Sequence, residues 1–524
     1  MFSKTNAVFV LTALLAVSCL TSALPRCDRD DEECKDRNMH PDLPPMPKKF
    51  QRALEGENSN DYWRNIAHDF INKQLNTAPN KNRAKNVIMF LGDGMGLTTI
   101  AAARNLLGGE EQNLSFNKFP HTGLAKTYSV DKIVPDSACT STAYLSGVKA
   151  QEGTLGVNGN VDMGDCQAGA DRSNWVYSIA KWAQDAGKGT GVLTTTRITH
   201  ASPGGVYAHI AHRDWENDQE VNVDCGINSG VEDIAYQLIK GEVGSKLDIV
   251  MGGGKKHFID SSLYKNGKRK DGLNLVEEYK KQSSKNLYIE TRDELMSSDF
   301  FDYDRVFGLY QDDHMLYHLE TNETTNQPTL EEMTRKAIEY LSRNENGYFI
   351  FIEGGRIDLA HHQNMARIAL DETVEFSKAI AAAQEMTNEE ETLIVVTADH
   401  SHAFSYNGYP YRGKDVFDRT PGTADDGIPY MTLSYANGPS YEKSFDTDKG
   451  HRIDPTTVIN GDKYDQFPST LPFVDETHGG DDVAVYANGP WSHLFSGVYE
   501  QNTIPHIMGY ASCLGNGLKM CNTN

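Results

Sequence analysis

From about residue 60 onward, short runs of β-branched and aromatic residues alternate with stretches whose apolar positions recur every three or four residues. Six runs predict strands: Val87 to Leu91, Gly191 to Thr194, Asp248 to Gly252, Tyr348 to Ile352, Thr392 to Val396 and Val483 to Ala487. Between them, Ser173 to Asp185, Val231 to Lys240, Leu330 to Arg343 and Leu359 to Ala383 predict helices. The last has Ala366, Ala369, Leu370, Val374 and Ile380 along one side. Strands alternating with helices in this way predict βαβ units and a largely parallel central sheet flanked by helices, the α/β class.

Three segments fall outside that rhythm. Residues 405–474 turn to Gly, Pro, Tyr, Asp and Ser with little helical period, which predicts a small insertion. Residues 24–59 are charged and Pro-rich and predict an extension or propeptide. At the start, Lys4, an apolar run from Ala7 to Leu20 and the small residues before Leu24 read as a removable signal peptide over residues 1–23. The run is shorter than the roughly 20 residues needed to cross a membrane. The C-terminus carries no hydrophobic tail of the glycolipid-anchor kind, so the expected product is soluble and secreted, without a membrane anchor.

With 524 residues the chain can bury a large core, and its formal charge of −23 argues against a nucleic-acid scaffold or an anionic membrane as partner. An anionic substrate would need bound cations to reverse the local field. An oxidising destination favours disulfides. Connectivity is not fixed by sequence, but Cys27 with Cys34 and Cys513 with Cys521 are close enough to bridge locally. Cys166 with Cys225 flank long polar loops, which leaves Cys139 unpaired. Asn113 and Asn322 head glycosylation acceptor triplets.

Chemistry concentrates at the ends of the predicted strands. The run Phe349 to Ile352 leads into Glu353, and a helix starting near Ile357 would set Asp358 and His362 at i,i+4, about 6 Å apart at Cβ. That is close enough to grip one divalent ion. Asp93 follows the first strand between Gly92 and Gly94, Asp399 and His400 follow Thr397, and His478 precedes Val483 in a glycine-flanked loop. Open α/β sheets place their sites at the carboxyl ends of strands. This mixed nitrogen and oxygen set suits zinc and partly magnesium, and exceeds the usual ligand count of one zinc, so it implies a multi-metal centre. Such a centre serves displacement at phosphorus or hydrolysis of an amide. Ser137, at the start of a helix expected near Thr140, is a candidate nucleophile where the helix dipole favours an anion, although a plain N-cap is the ordinary role there.

Val134 to Ala150, Gly92 to Gly96, Glu353 to Asp358, Thr397 to His402 and Glu476 to His478 together resemble the alkaline phosphatases, in their animal branch, over most of the chain from about Asn60. The resemblance implies a doubly wound α/β fold, commonly homodimeric, with a crown-like insertion matching residues 405–474. It implies hydrolysis of phosphate monoesters at alkaline pH through a phosphoserine on Ser137. By the same resemblance Asp358, His362 and His478 hold one zinc, and Asp399 and His400 a second. Asp93 bridges to a magnesium held with Ser202 and Glu353, with His200 beside it, and Arg213 binds phosphate. Leu359 departs from vertebrate members, which place a second pocket histidine there. The acidic ligands of a further vertebrate calcium site are not reproduced between Leu309 and Pro328, so none is expected.

Overall fold

The computed structural model describes residues 31–39, 45, 56–227, 229–322 and 324–522. The signal segment and Cys27 lie outside the described residues, as does most of the 24–59 extension, in which Glu32–Met39 is helical.

Ten strands form the central sheet, in chain order β1 Asn86–Gly92, β2 His121–Lys126, β3 Gly189–Arg197, β4 Ile249–Gly253, β5 Asn286–Ile289, β6 Arg305–Leu309, β7 Tyr348–Gly354, β8 Thr392–Thr397, β9 Val483–Asn488 and β10 Gly497–Glu500. Their spatial order is β10-β2-β9-β8-β1-β7-β3-β4-β6-β5. Every pairing is parallel except those of β9, which runs antiparallel to both β2 and β8. All six expected strands are present, and the sheet is largely parallel as the alternation predicts. Four strands were not expected: β2 and β10 at one margin, β5 and β6 at the other. Of these, β2, β5 and β10 are only half covered and carry polar residues, so their apolar signal is weak.

The central strands are buried on both faces; Val87 to Leu91 and Phe349 to Ile352 are fully covered. The register then decides where chemistry can occur. Leu91 lies opposite both Glu353 and Thr397, and Thr194 opposite Glu353, so four parallel strands end at one level. Because β9 runs the other way, the segment entering it meets the same edge, which brings His478 to the ends of strands that lie from 81 to 386 residues earlier.

Two helix expectations need correction. Leu359 to Ala383 is not one helix: Arg356–His362 ends and a second helix, Ala366–Met386, follows, with Asn364 between them at φ 56. The side chain of Asn364 is buried, donates to Asn437 O and accepts from Ser440 N–H, so polar contacts outside the helix hold the break. Ser173 to Asp185 is helical only from Ile179, after a 3-10 turn over Arg172–Asn174 capped by Asp171. The stretch 405–474 contributes nothing to the large sheet; Phe404–Tyr406 with Leu433–Tyr435, Arg419–Thr423 with Pro429–Met431, and Phe445–Asp446 with His451–Arg452 form separate two-stranded ladders. Disulfides join Cys166 to Cys225 and Cys513 to Cys521, and Cys139 is free and buried.

Candidate active site and metal centre

The nucleophile candidate sits at the start of a helix that begins earlier than expected, at Ser137 rather than near Thr140. Asp136 is the N-cap, its carboxylate accepting from the N–H groups of Ala138 and Cys139. Ser137 therefore occupies the first helical turn, and all ten residues of Ser137–Ser146 are buried. Its Oγ lies 3.1 Å from His400 Nε2 and 3.4 Å from Asp93 Oδ1.

Asp93 stands just beyond β1 in a turn that requires glycine. Gly94 has φ +67, and a Cβ there would fall 2.3 Å from His402 Nε2. The Gly94 N–H donates to Asp399 Oδ1 at 2.9 Å, which ties the turn after β1 to the one after β8. Asp399 Oδ2 lies 3.1 Å from His400 Nε2. Asp93, Asp399 and His400 thus form one fully buried cluster with Ser137 at its edge.

A second cluster assembles on the helix Arg356–His362. Asp358 Oδ1 is 3.3 Å from His362 Nε2 and 3.5 Å from His478 Nε2, and the two imidazole nitrogens are 3.1 Å apart. His478 also stacks on His400 at 3.6 Å between ring centres, so the two clusters adjoin. A third joins Asp93, His200 and Glu353. Glu353 Oε2 accepts from the hydroxyls of Thr194 and Thr196, and Ser202 is buried. Arg213 approaches from a loop, donating from Nη1 to Asp136 Oδ2 at 2.9 Å, with Nη2 3.2 Å from His200 Nε2.

Crowding of carboxylates leaves its mark on their acidity. Burial first, then Asp399, Asp358 and Glu353, hold the Asp93 carboxyl well above the usual range. Burial likewise pushes Glu353 up to about 7, against the donors of Thr194. Burial, reinforced by the charges of Arg213 and Arg197, depresses His200 to about 3 and keeps it neutral.

A family model described as alkaline phosphatase matches residues 84–514. The chain belongs to the alkaline phosphatase family. It is accordingly a phosphoric monoester hydrolase. A membrane-bound alkaline phosphatase of Bombyx mori is 46% identical over 488 residues, covering 90% of this chain and 88% of that protein. The human tissue-nonspecific isozyme of alkaline phosphatase is 43% identical over 487 residues, covering 89% and 91%. Among solved structures, the alkaline phosphatase of Thermus thermophilus shares the fold with TM-score 0.59 at 20% identity, covering 85% of this chain and 96% of its own.

Alkaline phosphatases use metal cofactors, and the donor set here fits cations. Asp93 Oδ2, Asp399 Oδ2, Glu353 Oε1 and Ser202 Oγ are all buried without a hydrogen-bond partner. Three carboxylate oxygens and a hydroxyl, buried together without partners, suit a bound cation.

All ten expected site residues, Ser137, Arg213, Asp93, Ser202, Glu353, Asp358, His362, Asp399, His400 and His478, converge on this one edge of the sheet, with His200 among them. The sequence reading missed two others. His402 lies 2.8 Å from Asp358 Oδ1 through Nε2, while its Nδ1 faces the Glu476 carboxylate. Glu476 is 1% exposed and also accepts from the Ala403 N–H. The available signal was spacing: His400 and His402 are two apart, and the second joins a short ladder in which it lies opposite His478. His361, left unassigned, is fully buried, with its ring nitrogens against Thr99 and Tyr435 hydroxyls.

Proposed function

We propose that the chain hydrolyses phosphate monoesters at alkaline pH through a phosphoseryl intermediate on Ser137, using two zinc ions and one magnesium. Asp358, His362 and His478 would hold one zinc, Asp399 and His400 the other, and Asp93 would bridge towards magnesium bound by Ser202 and Glu353, with His200 alongside. When bound, such ions lower the pKa of coordinated hydroxyl groups and offset charge developing on the oxygens around phosphorus. The observation that carries this reading is Ser137 Oγ, placed at a helix N-terminus 3.1 Å from His400 Nε2 and 3.4 Å from Asp93 Oδ1, the other oxygen of that carboxylate being without a partner.

The chain's own groups then have definite tasks. Ser137 Oγ attacks phosphorus as the ester P–O bond breaks and the alcohol leaves. Water attacks in the second step, the P–Oγ bond breaks, and inorganic phosphate departs. Helix N–H groups behind Ser137 favour the anion throughout. Arg213, held by Asp136, offers a planar fork to two non-bridging oxygens, and neutral His200 beside it adds no competing positive charge. The uncatalysed reaction is so slow that positioned charge must supply most of the acceleration.

Purified enzyme is expected to lose activity on an aryl phosphate in chelator and regain it with zinc plus magnesium. Turnover untouched by exhaustive chelation would sink the metal assignment. A related phosphodiesterase or sulfatase reaction would instead appear as faster turnover of a diester or sulfate ester than of the monoester.

The chain is further proposed to act outside the cell as a homodimer. The signal-like N-terminus, the Cys166–Cys225 bridge and the exposed acceptors Asn113 and Asn322 support the first part. Among the described residues no helix is long and apolar enough to cross a membrane.

A further inference from the structure

Among the described residues, one cluster of metal-binding side chains lies outside the catalytic edge. His318, in the 3-10 turn His318–Glu320 that follows β6, faces Asp371 and Glu375, which are spaced i,i+4 on the helix Ala366–Met386. His318 Nδ1 is 2.7 Å from Asp371 Oδ2, and Nε2 is 3.6 Å from Glu375 Oε1. One donor atom from each of the three lies within 4.8 Å of the others. The side chains are partly shielded, at 37%, 21% and 12% exposure.

Two observations set this apart from a surface ion pair. A cavity of about 30 Å³ borders His318, Glu372 and Glu375 and reaches Thr195 and Gly354. It has room for a water, the usual fourth partner of a three-ligand metal site. Glu372, 5% exposed, lines the same cavity. Its Oε1 accepts the His318 N–H at 2.7 Å, which ties the turn to the helix beside the cavity.

Three carboxylates, Asp371, Glu372 and Glu375, meet at the turn. Against them stand Lys378, which donates to Glu375 from a half-exposed flexible stem, and Arg356, whose guanidinium lies over the Tyr317 ring at 3.6 Å.

We propose that His318, Asp371 and Glu375 form a separate site for a zinc-class divalent transition metal that pins the turn after β6 to the helix Ala366–Met386. An imidazole nitrogen with two carboxylates selects zinc over calcium or magnesium, which prefer all-oxygen shells. The role is structural: the cavity ends at Thr195 and Gly354, next to the two strand ends that carry Thr194 and Glu353.

The test uses the enzyme reconstituted with zinc and magnesium, comparing the parent chain with His318→Ala and, in case that variant folds poorly, Glu375→Gln. Bound zinc is counted by plasma mass spectrometry after dialysis, and thermal midpoints are read with and without free zinc. The parent is expected to carry one more zinc per chain than either variant and to melt higher when zinc is added, whereas the variants show no such rise. Their kcat on an aryl phosphate should stay within about twofold of the parent's, since none of these side chains touches the catalytic edge. Equal zinc content and equal zinc response in parent and active variants would overturn the site. Because turnover is read separately, loss of the catalytic reading would appear as absent activity in every chain, independent of this count.

Discussion

Asp136 links local structure to chemistry through a single carboxylate. It caps the helix of Ser137, accepts the Gly153 N–H at 3.0 Å and pairs with Arg213 at 2.9 Å. Burial pushes its carboxyl up, but Arg213 and the N–H donors outweigh burial and bring it down from 3.8 to about 2. The folded value lies below the unfolded one, so this stabilisation is complete above about pH 4 and fades as pH falls towards 2. The shift corresponds to about 2 kcal/mol. Asp136→Asn keeps a capping oxygen and loses the charge. It is expected to lower stability by about that amount near pH 6, with the gap to the parent closing below about pH 3 as read from urea midpoints. A gap of constant size down to low pH would show that Arg213 is not what holds this carboxylate ionised. Weaker phosphate binding should accompany the loss, because an unanchored Arg213 must be ordered by the substrate.

At the scale of elements, the central strands and the ligand-bearing turns were legible because each announces itself locally: an apolar run, then a glycine or a carboxylate. What stayed hidden depends on partners far along the chain. Asn364 breaks a continuous apolar stripe because its side chain is tied to Asn437 and Ser440, and no periodicity reports that. The role of His402 depends on Glu476, and although His478 was legible as a ligand, the antiparallel run of β9 that delivers it to this edge is decided only by the assembled sheet. The helix Asn60–Asn76 raises a different question. None of its residues is buried, and Trp63, Ile66, Phe70, Ile71 and Leu75 are all about half exposed or more. Such a face needs cover, and a second copy of the chain is the occupant consistent with the proposed dimer. Protein purified from culture medium should scatter light with twice the chain mass, and Trp63→Glu with Phe70→Glu should shift it to the monomer. An unchanged dimer in that double variant would place the interface elsewhere.

For the molecule as a whole, an acidic surface and an anionic substrate are reconciled by where the charges lie. The formal charge is −23, yet the catalytic edge gathers Arg213 and a set of buried oxygens that demand cations. The sheet makes this possible by ending four parallel strands at one level and returning β9 to the same edge, so residues from Asp93 to His478 meet there. All of it converges on one hydroxyl. The decisive measurement is to mix enzyme with labelled phosphate ester, quench in acid and map the label by peptide mass spectrometry. Label on Ser137, absent from Ser137→Ala while that variant keeps its metal content, is the predicted result. Label on any other residue, or undiminished label in Ser137→Ala, would contradict it.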